Sequence, residues 1–122
     1  MTYAVQRNYE AATTMIESGK WTVDPEAGEV IGERGHPFRR TNNYGYVQIK
    51  FRDPVTRVDE LSAVAHRVIW ESVYGRMDPA LVINHINGDC RDNRIGNLEA
   101  VTQGENVAHA VRNGLYHANC IF

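Results

Sequence analysis

The feature that most constrains this chain is an asparagine-rich stretch, VINHINGDCRDNRIGNLEAVTQGEN, at residues 82–106. It contains five asparagines and a single histidine, His85. Asparagine fills strands and helices poorly, because its side-chain amide competes for backbone hydrogen bonds. The stretch therefore predicts either an elaborate turn or a site in which amides hold something in place for the histidine to act on.

Local signals order this region as strand, loop, strand and helix. ALVINH and LEAVT have the character of short strands on either side of the polar loop. Thr102, followed three residues later by Glu105, has the form of a capping box and predicts a helix that starts at Thr102. A hairpin with this helix laid across it would bring His85, Asn97 and Asn106 to one point.

The preceding residues predict a helix, short strands and a second helix. Apolar residues recur at helical spacing over residues 5–18, and Gly19 ends that segment. Residues 21–32 contain an Asp-Pro…Gly turn between two short β-type runs, which predicts a hairpin. Residues 61–75 are predicted to be a helix that ends at Gly75. We therefore expect an α+β fold with an N-terminal helix and a small antiparallel β region.

Residues 46–52, YVQIKFR, alternate strictly between two faces, as a β-strand does. Val47, Ile49 and Phe51 form the apolar face, which fits a core. The opposite face is predicted to be exposed and consists of Tyr46, Gln48, Lys50 and Arg52. Such a face is either ordinary solvated strand surface or a surface suited to phosphates and sugar edges.

Charge is distributed unevenly along the chain, although the net charge is only −2. Residues 34–57 have six basic side chains and one acidic, a balance of +5, whereas the flanking segments have balances of −4 and −3. Local fields matter more for docking than total charge, so this segment favours nucleic-acid contact over plain solvation. The candidate DNA-binding residues are Arg39, Arg40, Tyr46, Gln48, Lys50, Arg52 and Arg94.

Length and composition indicate one soluble domain over residues 1–122. A chain of 122 residues lies in the usual size range for a single core. No apolar run approaches the roughly 20 residues needed to cross a bilayer, so no membrane partner is expected. The first eighteen residues have neither a long apolar region nor a small-residue cleavage site. We therefore expect a cytoplasmic protein.

Four motifs occur together in residues 64–106: an HR pair that opens an aromatic-bearing helix, and then NHINGD, DNRIGNLE and VTQGEN. Their joint spacing resembles the phage-type HNH endonuclease family. The resemblance implies a ββα-metal motif, with the same strand–loop–strand–helix order, at residues 81–113. It divides the domain into a DNA-docking part at residues 1–57 and a nuclease part at residues 58–122.

The resemblance also implies a role for each polar residue of the motif. His85 would be the general base that activates the attacking water, and Asn97 would brace the loop and orient His85. Asn84, where the family commonly has Asp, and Asn106 would be the metal ligands, which makes the chain an HNN variant. Arg94 would either lie near the phosphate or make a structural hydrogen bond within the loop. The implied cofactor is Mg²⁺, with Mn²⁺ as the alternative and no small-molecule cofactor.

Three functional hypotheses follow. The first is a metal-dependent, phage-encoded DNA endonuclease of the nicking or homing type, which acts on double-stranded DNA in the host cytoplasm as a monomer or homodimer. The second is a DNA-binding module with a degraded, inactive site, because both ligand positions are neutral. The third is a structural or interaction protein of a phage particle, which would have no affinity for DNA.

Overall fold

The structure is a computed structural model that describes the backbone of residues 3–112 and the side chains of residues 6–108. Within these residues, pairs of short strands lie between the helices, and every strand pairs antiparallel with one neighbour. The elements are α1 (Tyr3–Glu17), β1 (Thr22–Asp24), β2 (Glu29–Ile31), β3 (Gln48–Arg52), β4 (Glu60–Val64), α2 (Ala65–Tyr74), β5 (Val82–His85), β6 (Leu98–Val101) and α3 (Gln103–Arg112). The predicted α+β fold class, with the strand–loop–strand–helix order at its C-terminal end, is confirmed.

The predicted helix over residues 61–75 is wrong in its first four residues. Residues 61–64 belong to β4, which pairs with β3 from Gln48 opposite Val64 to Arg52 opposite Glu60. The side chains of Leu61 and Ala63 are buried on one side of this strand. Pairing with β3 thus overrides a spacing that also fits a helix, and α2 begins only at Ala65.

One core cluster joins side chains from both N-terminal helices and all three hairpins. The most deeply buried aliphatic side chains are Ile49 of β3 and Ile69 of α2, both 0% exposed. Trp21 lies beside them with edge-to-face contacts to Phe38 and Phe51, at ring-centroid distances of 5.5 and 4.8 Å. No helix within the described residues is both long and apolar enough to cross a membrane.

The turn between β1 and β2 packs against the loop that joins β5 to β6. The Ile95 backbone N–H donates to the Pro25 carbonyl at 2.9 Å. Gly28 has a φ of +72°, and a Cβ at this position would lie 2.5 Å from the Asn93 carbonyl carbon and closer still to the Arg94 nitrogen. Glycine is therefore required here both by the backbone conformation and by the close approach of the loop.

We predict that Gly28→Ala destabilises the fold more than Gly35→Ala. Both glycines have positive φ, but a Cβ at Gly35 meets nothing within 4 Å. Each substitution incurs the conformational cost of about 1–2 kcal/mol, and only Gly28→Ala adds an overlap with backbone, worth about 1–3 kcal/mol. Urea unfolding of both variants measures the difference. An equal loss in the free energy of unfolding for the two variants would contradict the packing of this turn against the loop.

Candidate active site

His85 ends β5 inside the structure, at 1% exposure. The β5–β6 register places His85 opposite Leu98 and Asn84 opposite Glu99. The chain between these strands forms the site loop, residues 86–97, which ends in a single 3₁₀ turn at Ile95–Asn97. The polar stretch is thus a loop that closes over a buried imidazole.

The Asn97 side chain holds the site loop closed. Its Oδ1 accepts the Asn87 backbone N–H at 3.0 Å, and its Nδ2 donates to Asn87 Oδ1 and to the Asp92 carbonyl, both at 2.9 Å. The Asn97 carbonyl also accepts the Ile86 N–H at 2.8 Å. A buried amide that uses both its donor and its acceptor fixes the loop at two separate points.

The ring of His85 has Asn93 as its hydrogen-bond partner. His85 Nε2 lies 2.8 Å from Asn93 Oδ1, and both residues are buried. An amide oxygen accepts, so Nε2 carries the proton and Nδ1 carries the lone pair. Sequence reasoning assigned the orientation of His85 to Asn97 and gave Asn93 to the loop; the structure shows Asn93 at the ring and Asn97 binding the loop that carries Asn93. The sequence does show two asparagines in the DNRIGN segment, but their spacing does not indicate which of them contacts the ring.

His85 Nδ1 is buried and has no hydrogen-bond partner among the described residues. Burial lowers the pKa of His85, and the hydrogen bond with Asn93 and the charges of Asp89 and Asp92 offset part of that effect. The ring is therefore neutral near pH 7. A buried acceptor without a partner costs about 1–3 kcal/mol, which is the kind of cost that functional sites retain.

Two further rings pack against His85. The His66 ring lies edge-on to it at a centroid distance of 4.9 Å, and the Tyr46 ring stacks at 6.0 Å. Burial raises the pKa of Tyr46 to about 12 and lowers that of His66 well below 6.5. These rings form one wall of the imidazole pocket.

The predicted place of Tyr46 on the exposed strand face is wrong, because this residue is only 7% exposed. Tyr46 precedes β3, where the alternation of the ladder has not yet begun, and both Tyr46 and Val47 are buried. Gln48, Lys50 and Arg52 do lie on the outer side of β3, with Ile49 buried between them. We call these three residues the strand face.

Asn84 and Glu99 form a pair that sequence reasoning did not identify. Asn84 Nδ2 donates to Glu99 Oε1 at 2.7 Å, across the β5–β6 ladder. Because the amide nitrogen is turned to Glu99, the amide oxygen of Asn84 points away from that carboxylate. Glu99 also places a negative charge beside Asn84, the predicted metal ligand, whose own side chain is neutral. The strand register would have identified it, since His85 opposite Leu98 puts Asn84 opposite Glu99.

Asn106 lies in the first turn of α3, which packs against β5. It is 3% exposed, and its backbone N–H donates to the Thr102 carbonyl at 3.0 Å. The predicted cap is present: Thr102 Oγ1 accepts the Glu105 N–H at 3.2 Å, so α3 begins at Gln103, directly after Thr102. The described residues contain no group of three or more His, Cys, Asp or Glu side chains that could hold a metal.

The donor chemistry nevertheless fits a hard divalent cation. Amide oxygens with one carboxylate nearby suit Mg²⁺, which is usually held by few protein ligands and keeps several waters and substrate phosphates. Asn84, with its oxygen turned away from Glu99, and the buried Asn106 are the residues that could hold it. A site of this kind would bind its cation weakly without substrate.

Two of the candidate DNA-binding arginines are engaged by carboxylates. Arg94 binds Asp92 through two hydrogen bonds of 2.7 Å, which is the structural role that the sequence left open for it. This contact lowers the pKa of Asp92 to about 2. Arg39 pairs with Glu29 at 3.0 Å. In contrast, Arg40 lines a groove together with Gln48 and Lys50 of the strand face.

Comparison with known proteins finds similarity to HNH endonucleases. Residues 63–108 match the model of the HNH endonuclease family. An uncharacterized HNH endonuclease of Acanthamoeba polyphaga mimivirus is 42% identical over 80 residues, which are 62% of this chain and 19% of that protein. YosQ of Bacillus subtilis, whose full name is SPbeta prophage-derived putative HNH homing endonuclease, is 28% identical over 102 residues, 82% of this chain and 57% of YosQ.

A solved structure has a similar fold. The HNH homing endonuclease I-HmuI, described for its DNA binding and cleavage, matches with a TM-score of 0.63 at 24% identity, over 80% of this chain and 55% of that one. The chain therefore spans less than two thirds of each of these three relatives.

We predict that acid destabilises the folded chain through His66. The folded-state pKa of His66 lies well below 6.5, so below about pH 6.5 mainly the unfolded state takes up this proton. Stability is then greatest above pH 6.5 and falls below it, by at most about 1.4 kcal/mol per pH unit for this group. Urea unfolding of the wild type and of His66→Phe across this range measures the slope.

His36→Phe is the matched control, because His36 is exposed. The wild type and His36→Phe are expected to lose stability in acid to the same extent, and His66→Phe to lose less. Equal slopes for all three proteins would contradict the burial of a neutral imidazole at His66.

Proposed function

We propose that the chain, whose residues 63–108 match the model of the HNH endonuclease family, is a metal-dependent DNA endonuclease that hydrolyses phosphodiester bonds with His85 as general base. The observation that carries the proposal is the state of the His85 ring. Its Nε2 lies 2.8 Å from Asn93 Oδ1, and its Nδ1 is buried with no partner in the part of the chain that the structure describes. A neutral imidazole held in one tautomer is suited to take a proton from water.

The proposed reaction gives each nearby residue a definite task. His85 Nδ1 takes a proton from the attacking water while the water oxygen bonds to phosphorus and the bond to the leaving sugar oxygen breaks. Asn93 keeps the Nε2 proton in place and stabilises the ring as it becomes charged. Asn97 acts through the site loop and not on the ring, because its side-chain hydrogen bonds go to Asn87 and Asp92.

Asn84 and Asn106 are the proposed metal ligands, with Glu99 supplying charge beside Asn84. When bound, a divalent cation such as Mg²⁺ or Mn²⁺ would stabilise the negative charge that develops on the phosphate and leaving oxygens. Glu99 holds the Asn84 amide in one orientation through its 2.7 Å hydrogen bond. The pair therefore presents an oxygen ligand and a nearby negative charge without a carboxylate at position 84.

We assign DNA docking to residues 1–57 and cleavage to residues 58–122. The strand face, together with Arg40, is the surface proposed to contact the backbone of double-stranded DNA. A single site of this kind most simply nicks one strand. The proposed setting is the host cytoplasm, where a phage-encoded enzyme of the nicking or homing type would meet its DNA.

A DNA-binding module with an inactive site is the second candidate. It is favoured by the neutral side chains at Asn84 and Asn106, which attract a cation less strongly than carboxylates do. The charge of Glu99 next to Asn84 argues against it. Because the two candidates share the DNA-docking surface, they differ only in cleavage.

We predict that His85→Ala abolishes plasmid nicking and leaves DNA binding intact. Loss of a general base should reduce the nicking rate by at least about 100-fold. The measurement is conversion of supercoiled to open-circular plasmid with Mg²⁺ or Mn²⁺, beside an EDTA control. DNA binding is measured in EDTA by gel shift.

Nicking by His85→Ala at the wild-type rate would contradict the assignment of the base. Binding by both proteins with nicking by neither would favour the inactive module. An absence of DNA binding by the wild type would favour the structural protein of a phage particle. Thermal melts of the variant distinguish loss of chemistry from loss of fold.

A further inference from the structure

The basic side chains divide by whether a carboxylate pairs with them. Those in salt bridges are Arg7, Arg39, Arg67, Arg76, Arg91 and Arg94. Those that form no salt bridge with any described residue are Lys20, Arg34, Arg40, Lys50, Arg52 and Arg57. Every member of the second set lines one of two cavities that share Phe38 as a wall. The cations without a carboxylate partner are therefore gathered on one surface.

The larger cavity, which we call the basic cleft, has a volume of about 670 Å³. Its floor is apolar and its rim carries four of the cations without carboxylate partners. The floor includes Met15, Trp21, Pro37, Phe38 and Pro54, and the rim cations are Lys20, Arg34, Arg52 and Arg57. All four rim cations are exposed. A cleft with this lining is suited to an anion.

The carboxylates in the lining do not neutralise the basic cleft. Asp53 is 6% exposed, and its Oδ2 lies 2.7 Å from Arg7 Nη2, outside the lining. Its other oxygen accepts the Val55 N–H at 2.8 Å. Glu33 is the other acidic residue of the lining. With Asp53 committed to Arg7, the rim keeps a clear excess of positive charge.

The turn between β3 and β4 fixes the backbone that carries one rim cation. Arg57 has a φ of +63°, and its backbone N–H donates to the Asp53 carbonyl at 2.8 Å. Arg7 also binds Asp59 at 2.8 Å, so one guanidinium ties both ends of the turn together. The Arg57 side chain therefore extends from an ordered backbone, which reduces the conformational entropy lost on binding.

From this distribution we infer that the basic cleft binds backbone phosphates of DNA that flanks the cleaved position. The inference rests on the proposed function and extends the docking surface to Lys20, Arg34 and Arg57, which lie outside the strand face. Lys50 and Arg52 lie two residues apart on β3, about 7 Å along the strand, and line the smaller and the larger cavity, respectively. A chain of linked phosphates can contact both cavities at once, whereas a single phosphate ion occupies one of them, which favours a DNA backbone over a free phosphate.

The test compares DNA affinity across salt concentrations for the variants Arg34→Gln, Arg57→Asn and their combination. Asn replaces Arg57 because asparagine tolerates positive φ. The control, Arg76→Gln, removes one exposed charge that is already paired with Glu71. The probe is a fluorescein-labelled duplex of mixed sequence, followed by anisotropy in EDTA so that binding does not depend on cleavage.

Each phosphate contact contributes about 0.9 to the slope of log affinity against log salt, so the double variant should lose about 1.8 from that slope. Its affinity at about 0.1 M salt should fall by roughly 10- to 60-fold, whereas Arg76→Gln should stay within about twofold of the wild type. Single variants are expected to show intermediate losses. Arg34 lies outside the turn that contains Asp53, so Arg34→Gln is the variant expected to disturb the fold least. Thermal melts check this.

Affinities and slopes for the cleft variants equal to those of Arg76→Gln would overturn the inference and leave the proposed cleavage standing. A wild type that binds DNA without nicking it, with weaker binding by the cleft variants, would support the cleft while the proposed cleavage fails. A wild type without affinity for the duplex at low salt would overturn both.

Discussion

The short hydrogen bond between His85 and Asn93 depends on a loop that the Asn97 amide holds closed. The loop has few apolar side chains of its own, and its conformation is maintained by amides, two aspartates and the turn around Gly28. If the Asn97 amide were lost, the backbone that places Asn93 would be free to move away from the ring. The orientation of the imidazole therefore depends on the loop network that positions Asn93 as well as on the contact between His85 and Asn93.

The proposed metal position carries little formal charge of its own. Asn84 and Asn106 are neutral, and Glu99 lies beside Asn84 as its hydrogen-bond partner. Burial keeps His85 neutral, and the charges of Asp89 and Asp92 moderate that effect. The positive charge that would attract DNA lies elsewhere, on β3 and around the basic cleft. The site thus separates the groups that would hold the substrate from those that would act on it.

Those parts of the structure that are determined by one periodicity or one helix cap are predictable from the sequence. The strand–loop–strand–helix order, the cap at Thr102 and the outward positions of Gln48, Lys50 and Arg52 follow from local rules. Tyr46 is buried although the alternation of residues 46–52 predicts it to be exposed, because it lies ahead of the β3 ladder and stacks on His85. Residues 61–64 fit a helical spacing, and only the partner strand β3 determines their conformation.

The contacts of the site loop were beyond sequence reasoning for a different reason. Asn87, Asn93 and Asn97 have the same side chain, and nothing in their spacing states which amide reaches the imidazole. That choice depends on how the loop folds over β5 and on the turn around Gly28, which comes from a distant part of the chain. Asn84 and Glu99 are likewise brought together by the strand register.

The tautomer of His85 tests the central claim most directly. A long-range ¹H–¹⁵N correlation spectrum near neutral pH distinguishes a neutral ring protonated on Nε2 from one protonated on Nδ1. The account predicts a single neutral Nε2–H form in the wild type, since Asn93 Oδ1 accepts that proton, and loss of this single form in Asn93→Ala. A ring protonated on Nδ1 in the wild type would contradict it, because the lone pair would then face Asn93 and could not receive a proton from water.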